Sequence, residues 1–213
     1  MSTITIYGFP QSTYVRSARM VCEEKGVDYR IDDSIEMGSE TYRELHPFNK
    51  IPAMRHGDFV LYETAAIGRY IDEAFDGPAL QPKDVKARAS MEQWISAIND
   101  YCYQVIILEL VFPRVVIPMR GGEPDENMIE AAIPKIDHQL GVFDKTLARA
   151  DYLAGPGVSL ADLLLLPILF YVKNTPEGGA AMDKVPAVGA WFERMAGRPS
   201  FAATLPPMPE AAE

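Results

Sequence analysis

Two adjacent hydroxyls, Ser12 and Thr13, follow the segment Tyr7-Gly8-Phe9-Pro10-Gln11, where a turn runs into the start of a helix. A helix N-terminus carries unpaired N–H groups and the positive end of the backbone dipole. A hydroxyl there can help to stabilise an anion, a thiolate included. An ordinary thiol, with a pKa of about 8.5, is only about 3% ionised at pH 7, and lowering it by two units takes roughly 2.7 kcal/mol. One charge-assisted hydrogen bond with a dipole contribution reaches that magnitude. The plain alternative is that Ser12 or Thr13 is an N-cap and nothing more.

A second constellation is Lys50-Ile51-Pro52, followed eleven residues after the proline by Glu63-Thr64. Pro52 is either an ordinary residue at a strand edge or a cis proline that turns the Ile51 backbone toward a ligand. Thr64 opens a helix, and a hydroxyl beside free N–H groups can receive a carboxylate. Glu63 next to it can receive an ammonium. An acid beside an anion-binding helix start suits the α-amino-acid end of a ligand. By contrast, Cys22 and Cys102 lie 80 residues apart, and the three histidines (His46, His56, His138) form no metal-ligand spacing. This argues against a structural zinc site or a dithiol redox centre.

These residues must be positioned by an alternation of strands and helices. Residues 3–7 are β-branched and end at Gly8, and Val15, Ala18, Val21 and Cys22 follow at helical spacing, closed by Gly26 as a C′ glycine. Residues 27–31 read as a second strand, and 32–44 as a polar stretch with a short helix. Residues 51–54 and 59–62 bracket a tight hairpin, and 63–75 form a helix with Ala66, Ile67, Tyr70, Ile71 and Phe75 on one face. The order is β-α-β-α-β-β-α. Gly77, Pro78 and Pro82 mark a linker. Beyond it the period is helical throughout: a stripe from Met91 to Leu108 ending near Pro113, a helix over about 123–149, and a third opened by a capping box at Ser159 and Asp162. A fourth covers about 188–196, and Pro206, Pro207 and Pro209 make the tail irregular. The expected fold is an α/β domain over 1–80 followed by an all-α helical bundle domain over 86–213.

The 213-residue chain is 48% hydrophobic and 23% charged, an ordinary globular composition, with a formal charge of −10 and no basic patch. Nucleic acid and anionic membrane surfaces are therefore poor partners. The longest apolar run, residues 163–172, is too short to span a bilayer, and the N-terminus enters a strand pattern at once, so neither membrane span nor signal peptide is expected. A reducing, cytoplasmic compartment fits the cysteine usage.

The strings residues 6–13, Glu23-Glu24-Lys25-Gly26-Val27-Asp28-Tyr29, His46-Pro47-Phe48-Asn49-Lys50-Ile51-Pro52-Ala53-Met54, Leu61-Tyr62-Glu63-Thr64-Ala65-Ala66-Ile67, residues 157–162 and residues 191–200 carry a resemblance to a known family. In this order and spacing the chain resembles a soluble glutathione transferase, of bacterial type and closest to the serine-dependent theta, phi and zeta-like branches. The resemblance implies a thioredoxin-like first domain, glutathione as co-substrate, no metal, and a hydrophobic electrophile bound by the helical domain. It also implies a homodimer, with Ile67, Arg69, Tyr70, Met91 and Trp94 as candidate contacts, and a detoxification role. Ser12 matches the serine that donates to the glutathione sulfur, with Thr13 and Tyr7 as alternative hydroxyls. Ile51 matches the residue whose backbone pairs with the cysteinyl part, and Pro52 the cis proline. Glu63 and Thr64 match the pair holding the γ-glutamyl end, and Lys50 a position near the glycyl carboxylate. Asn49 departs from the family's usual small residue, and Thr64 from its usual serine. Asp162 belongs to a structural folding cap. The second-substrate pocket is expected between Phe9-Pro10 and the long helix, with Tyr101, Tyr103, Gln104, Ile107 and Arg114 as walls. The competing functions are a zeta-like glutathione-dependent isomerase and a non-catalytic interaction module of the same fold.

Overall fold

The computed structural model describes residues 3–206, so Pro207 and Pro209 lie outside the described residues. The chain divides into two compact units. The first holds a four-stranded sheet in the order β2-β1-β3-β4, made of β1 (Ile4–Tyr7), β2 (Tyr29–Asp32), β3 (Ala53–His56) and β4 (Phe59–Tyr62). β1 runs parallel to β2 and antiparallel to β3, and β3 is antiparallel to β4. Three helices intervene: α1 (Thr13–Lys25), α2 (Glu40–Leu45) and α3 (Thr64–Ala74). This is the β-α-β-α-β-β-α order read from the sequence, with β2 displaced toward Asp32.

Ile4 and Ile6 of β1 are fully buried, as are Val15, Ala18, Met20 and Cys22 of α1 and Ile67 and Ile71 of α3. The valine, isoleucine and methionine side chains among these each contribute about 1.5–3 kcal/mol of burial free energy. Gly26 closes α1 in the left-handed conformation (φ 66°), its N–H reaching the carbonyls of Cys22 and Glu23. Gly8, between β1 and α1, has φ 145°, and a Cβ there would lie 2.5 Å from Val15 Cγ2 and 3.1 Å from Ile51 Cβ. Only glycine lets this turn close down on Ile51.

The second unit, Leu80–Ala196, is helical. Its long helix α4 (Val85–Met119) is apolar and long enough to cross a membrane by length and composition alone, but here it lies against two neighbouring helices. It does not stop at Pro113. The stretch Ile98–Val116 takes a wider winding, with the Ile117 N–H reaching the Phe112 carbonyl five residues back. That widening makes room for a proline ring, which would collide with the carbonyl four residues earlier in an ordinary α-helix. The neighbours are α5 (Glu126–Leu147), which carries Pro134 in its interior, and α6 (Leu160–Lys173). In α6, Leu163, Leu165, Leu166, Ile168 and Leu169 are all fully buried, as expected of a helix apolar on every side. Two short helices were not legible beforehand: α7 (Pro176–Met182), and α9 (Pro199–Ala203), which follows α8 (Pro186–Ala196).

The expected boundary of the helical domain at 86–213 differs from the observed division. The stretch from Gly197 onward belongs with the first unit, because side chains of α1 hold it there. Arg198 makes two hydrogen bonds to the Glu24 carboxylate at 2.7 and 2.6 Å, and Ser200 adds a third. Arg19 donates to the carbonyls of Thr204 and Ala203, and the Arg16 guanidinium lies 4.5 Å over the Phe201 ring. Of the residues considered for subunit contacts, Ile67 and Met91 are fully buried within the single chain and serve as core.

Candidate active site

The antiparallel register brings the scattered candidates together. Tyr7 pairs with Ala53, and Ala53 pairs with Tyr62. The chain leaving β1 after Tyr7, the chain entering β3 before Ala53 and the chain leaving β4 after Tyr62 therefore share one end of the sheet. Ser12 follows the first, Lys50-Ile51-Pro52 is the second and Glu63-Thr64 is the third. Tyr7 also pairs with Asp32 of β2, so the loop over residues 33–39 starts from the same end.

Ser12 has extended backbone angles and caps α1, its Oγ accepting from the Val15 N–H at 3.4 Å. Its N–H donates to the Phe9 carbonyl at 3.0 Å, which closes the turn. Because the hydroxyl serves here as an acceptor, its own proton is left to donate. Ser12 is half-buried, whereas Thr13 is only 6% exposed and its carbonyl accepts from Ser17 Oγ. Tyr7 is a half-buried strand residue.

The Ile51-Pro52 peptide bond is cis. Lys50 before it is exposed, Ile51 is half-buried and Pro52 is buried. Glu63 is exposed, with φ 70°, an uncommon left-handed value for a non-glycine residue. It stands at the N-terminus of α3 without using its side chain as a cap, so the first N–H groups of that helix are not occupied by it. An exposed carboxylate thus sits beside a helix start that it does not cap and that also offers the Thr64 hydroxyl. Chemically, this pair can meet an ammonium and a carboxylate on neighbouring atoms.

Three contributors escaped the sequence reading. The His46 ring is 2% exposed and lies 4.8 Å from the Tyr62 ring, and its Nδ1 has no hydrogen-bond partner among the described residues. Burial holds its pKa below the ordinary imidazole value, the Glu63 charge opposing that shift and the Lys50 charge adding to it. Tyr42 is buried, and its phenol donates to the Lys50 carbonyl at 2.7 Å. Burial pushes that phenol up to about 12, so it remains a donor throughout the working range. Asn49 has φ 53°, and its side-chain carbonyl accepts from the Gly38 N–H at 2.7 Å. The one legible signal was the amide at position 49 itself, since Asn is among the few residues that tolerate left-handed backbone.

Cys22 and Cys102 are buried free thiols, each pushed up to about 12 by burial, and are inert packing residues. Among the proposed pocket walls, Ile107 is buried, and Arg114 is engaged by Glu126 through two hydrogen bonds at 2.7 Å and by Glu177. Arg114 is thus occupied within its own unit.

A thioredoxin-like sheet whose one end gathers a capped helix, a cis-proline loop and an acid–hydroxyl helix start, followed by a helical unit, defines a glutathione-handling fold. Residues 6–79 match the glutathione S-transferase N-terminal domain, and residues 103–199 match the C-terminal domain of the same family. The chain is 34% identical to glutathione S-transferase 3 of Zea mays, over 99% of both proteins. Among solved structures, glutathione transferase F7 from Populus trichocarpa has a TM-score of 0.86 at 30% identity, covering 95% of this chain and 97% of that one. Glutathione S-transferase I from maize, in complex with an atrazine glutathione conjugate, has a TM-score of 0.86 at 27% identity, covering 95% and 96%. The chain belongs to the glutathione S-transferase family. It is a transferase with glutathione as co-substrate. These relatives are plant proteins, and they do not support the expected bacterial type or a theta or zeta affinity.

Proposed function

We propose that the Ser12 hydroxyl donates a hydrogen bond to the sulfur of glutathione and holds it as the thiolate. The sulfur then attacks an electrophilic carbon, forming an S–C bond. Either a leaving group departs with its electron pair, or an activated double bond takes up the electrons and then a proton from water. The thiol proton is lost to solvent as the thiolate forms. The N-terminal unit, residues 1–80 in outline, holds glutathione. Thr64 and the start of α3 receive the γ-glutamyl carboxylate, Glu63 the ammonium, the Ile51 backbone beside Pro52 the cysteinyl amide, and Lys50 the glycyl carboxylate. The helical unit takes a hydrophobic electrophile. In its finer classification the protein is a phi-like member, consistent with the F-type names among its plant relatives, and it works as a cytoplasmic homodimer in detoxification.

The observation that carries this reading is the cap at Ser12, a half-buried hydroxyl at the sheet end shared with Ile51 and Glu63. Thr13 is the weaker choice because it is buried. Replacing Ser12 by alanine removes the donor and leaves the binding groups in place. We expect Ser12→Ala to lower kcat/KM for chlorodinitrobenzene by about 100-fold, equivalent to about 2.7 kcal/mol. The pH–rate midpoint should rise by about one to two units, with glutathione affinity little changed. Undiminished turnover in Ser12→Ala, with loss in Thr13→Ala or Tyr7→Phe, would move the role to another hydroxyl.

A further inference from the structure

The loop that precedes the cis proline is held from two sides by side chains that do not belong to the glutathione-binding set. Tyr42 stands in α2, where its N–H bonds the Ser39 cap at 3.1 Å, and its buried phenol reaches across to the Lys50 carbonyl at 2.7 Å. That carbonyl and the Ile51 N–H belong to the same planar peptide unit. Fixing the oxygen on the α2 side aims the N–H the opposite way, and the orientation of the Ile51 backbone follows. On the other flank, the Asn49 N–H closes a turn onto the His46 carbonyl at 2.8 Å, while its side chain takes the Gly38 N–H at 2.7 Å. The loop after β2 is thereby tied to the residue immediately before Lys50.

The backbone at Asn49 makes the second tie informative. With φ 53° the position suits glycine better than any residue with a side chain. An asparagine held there accepts a conformational penalty and in return supplies one directed hydrogen bond. A glycine would sit there without strain but could not supply the bond to Gly38.

We infer that Tyr42 and Asn49 are positioning residues for glutathione, clamping the turn over residues 46–51 so that the Lys50 side chain and the Ile51 backbone are held in their binding orientation before the ligand arrives. The inference rests on the assignment of Lys50 and Ile51 to glutathione. Neither Tyr42 nor Asn49 touches the reacting atoms. Their removal therefore taxes glutathione binding and leaves the chemical step intact.

The test measures KM for glutathione, KM for chlorodinitrobenzene, kcat and Tm for Tyr42→Phe, Asn49→Gly and, in parallel, Lys50→Met. Tyr42→Phe keeps the ring and loses only the hydroxyl. Asn49→Gly relieves the backbone while removing the amide, so its Tm should equal or exceed that of the parent. We expect KM for glutathione to rise about five- to tenfold in Tyr42→Phe and about threefold in Asn49→Gly, with kcat at saturation within twofold and KM for the electrophile unchanged. A purely structural role would lower Tm in Tyr42→Phe and leave KM for glutathione untouched in Asn49→Gly, and that result overturns the inference. If Lys50→Met raises KM for glutathione and the other two do not, the inference alone fails. If none of the three raises it, the assignment of this loop to glutathione fails as well. If Tyr42→Phe and Asn49→Gly raise it and Lys50→Met does not, the inference stands on Ile51 and the role given to Lys50 is withdrawn.

Discussion

A buried imidazole beside a site for a charged ligand has consequences for stability as well as for binding. His46 stacks on Tyr62, one residue before Glu63, and burial makes its protonated form costly in the native state. The unfolded chain has no such restraint and takes up a proton near the ordinary value of about 6.5. Below that pH the unfolded state binds more protons than the native one, so stability falls as pH falls, while above it His46 contributes no slope. The urea midpoint of the parent should accordingly drop between pH 7 and pH 5.5 by more than that of His46→Asn. Equal slopes would show that His46 titrates as freely in the native protein as in the unfolded chain. At this scale Ser12, Glu63 and Thr64 were legible, because a hydroxyl or an acid at a helix start is a local feature. His46 was not, since its burial depends on Tyr62, sixteen residues further on in another element.

Among the elements, the start of α6 carries the clearest stability requirement. Asp162 is fully buried, and its carboxylate accepts from the Ser159 N–H and Oγ, the Leu153 N–H and the Trp191 Nε1–H, all at 2.7–3.0 Å. Burial raises its pKa, and those four donors pull against the rise. Asp162→Asn preserves the shape but turns one acceptor into a donor facing donors, which costs about 3 kcal/mol. For a chain of this size that lowers Tm by about 6–12 °C, whereas Ser159→Ala, losing a cap contact, should cost about 1 kcal/mol. A melting curve for Asp162→Asn superimposable on the parent's would remove the cap from any account of stability. The capping box was visible as a spacing of three, but its extension to Trp191 was not. Helix ends at prolines were harder to read. Pro113 looked like a terminus and is an interior residue of a widened helix, while Pro176 and Pro199 open helices at the position where a missing N–H costs nothing.

For the whole molecule, the charge of −10 bears on encounter more than on recognition. It slows the approach of an anionic tripeptide at low salt and is screened as ionic strength rises. In the function proposed above, the local donors at Ser12, Lys50 and the start of α3 determine what happens on arrival. The homodimer proposed above predicts a sedimentation mass of twice the 23.7 kDa chain; the mass of a single chain at micromolar concentration would refute it. The C-terminal stretch depends on a different long-range link. Glu24 is half-buried, which by itself would raise its pKa, yet Arg198 and Ser200 outweigh that and hold the carboxyl below the usual range. Arg16, Arg19 and Glu24 all stand on α1. In the structure they bind residues more than 170 positions away.

The element order of the first unit, the helical character of the second, the caps at Ser12 and Ser159 and the family were all legible from the order of residues. Each of these rests on interactions within a few residues or on a linear pattern of strings. Packing in three dimensions set Tyr7, Ala53 and Tyr62 in register, so that three separate candidates meet at one end of a sheet. It also decided that Tyr42 and Asn49 hold the loop between them, and that the chain's last described residues belong with its first domain. Strand register and buried hydrogen bonds join groups far apart along the chain. Their partners are chosen by packing, which no local pattern of residue types records.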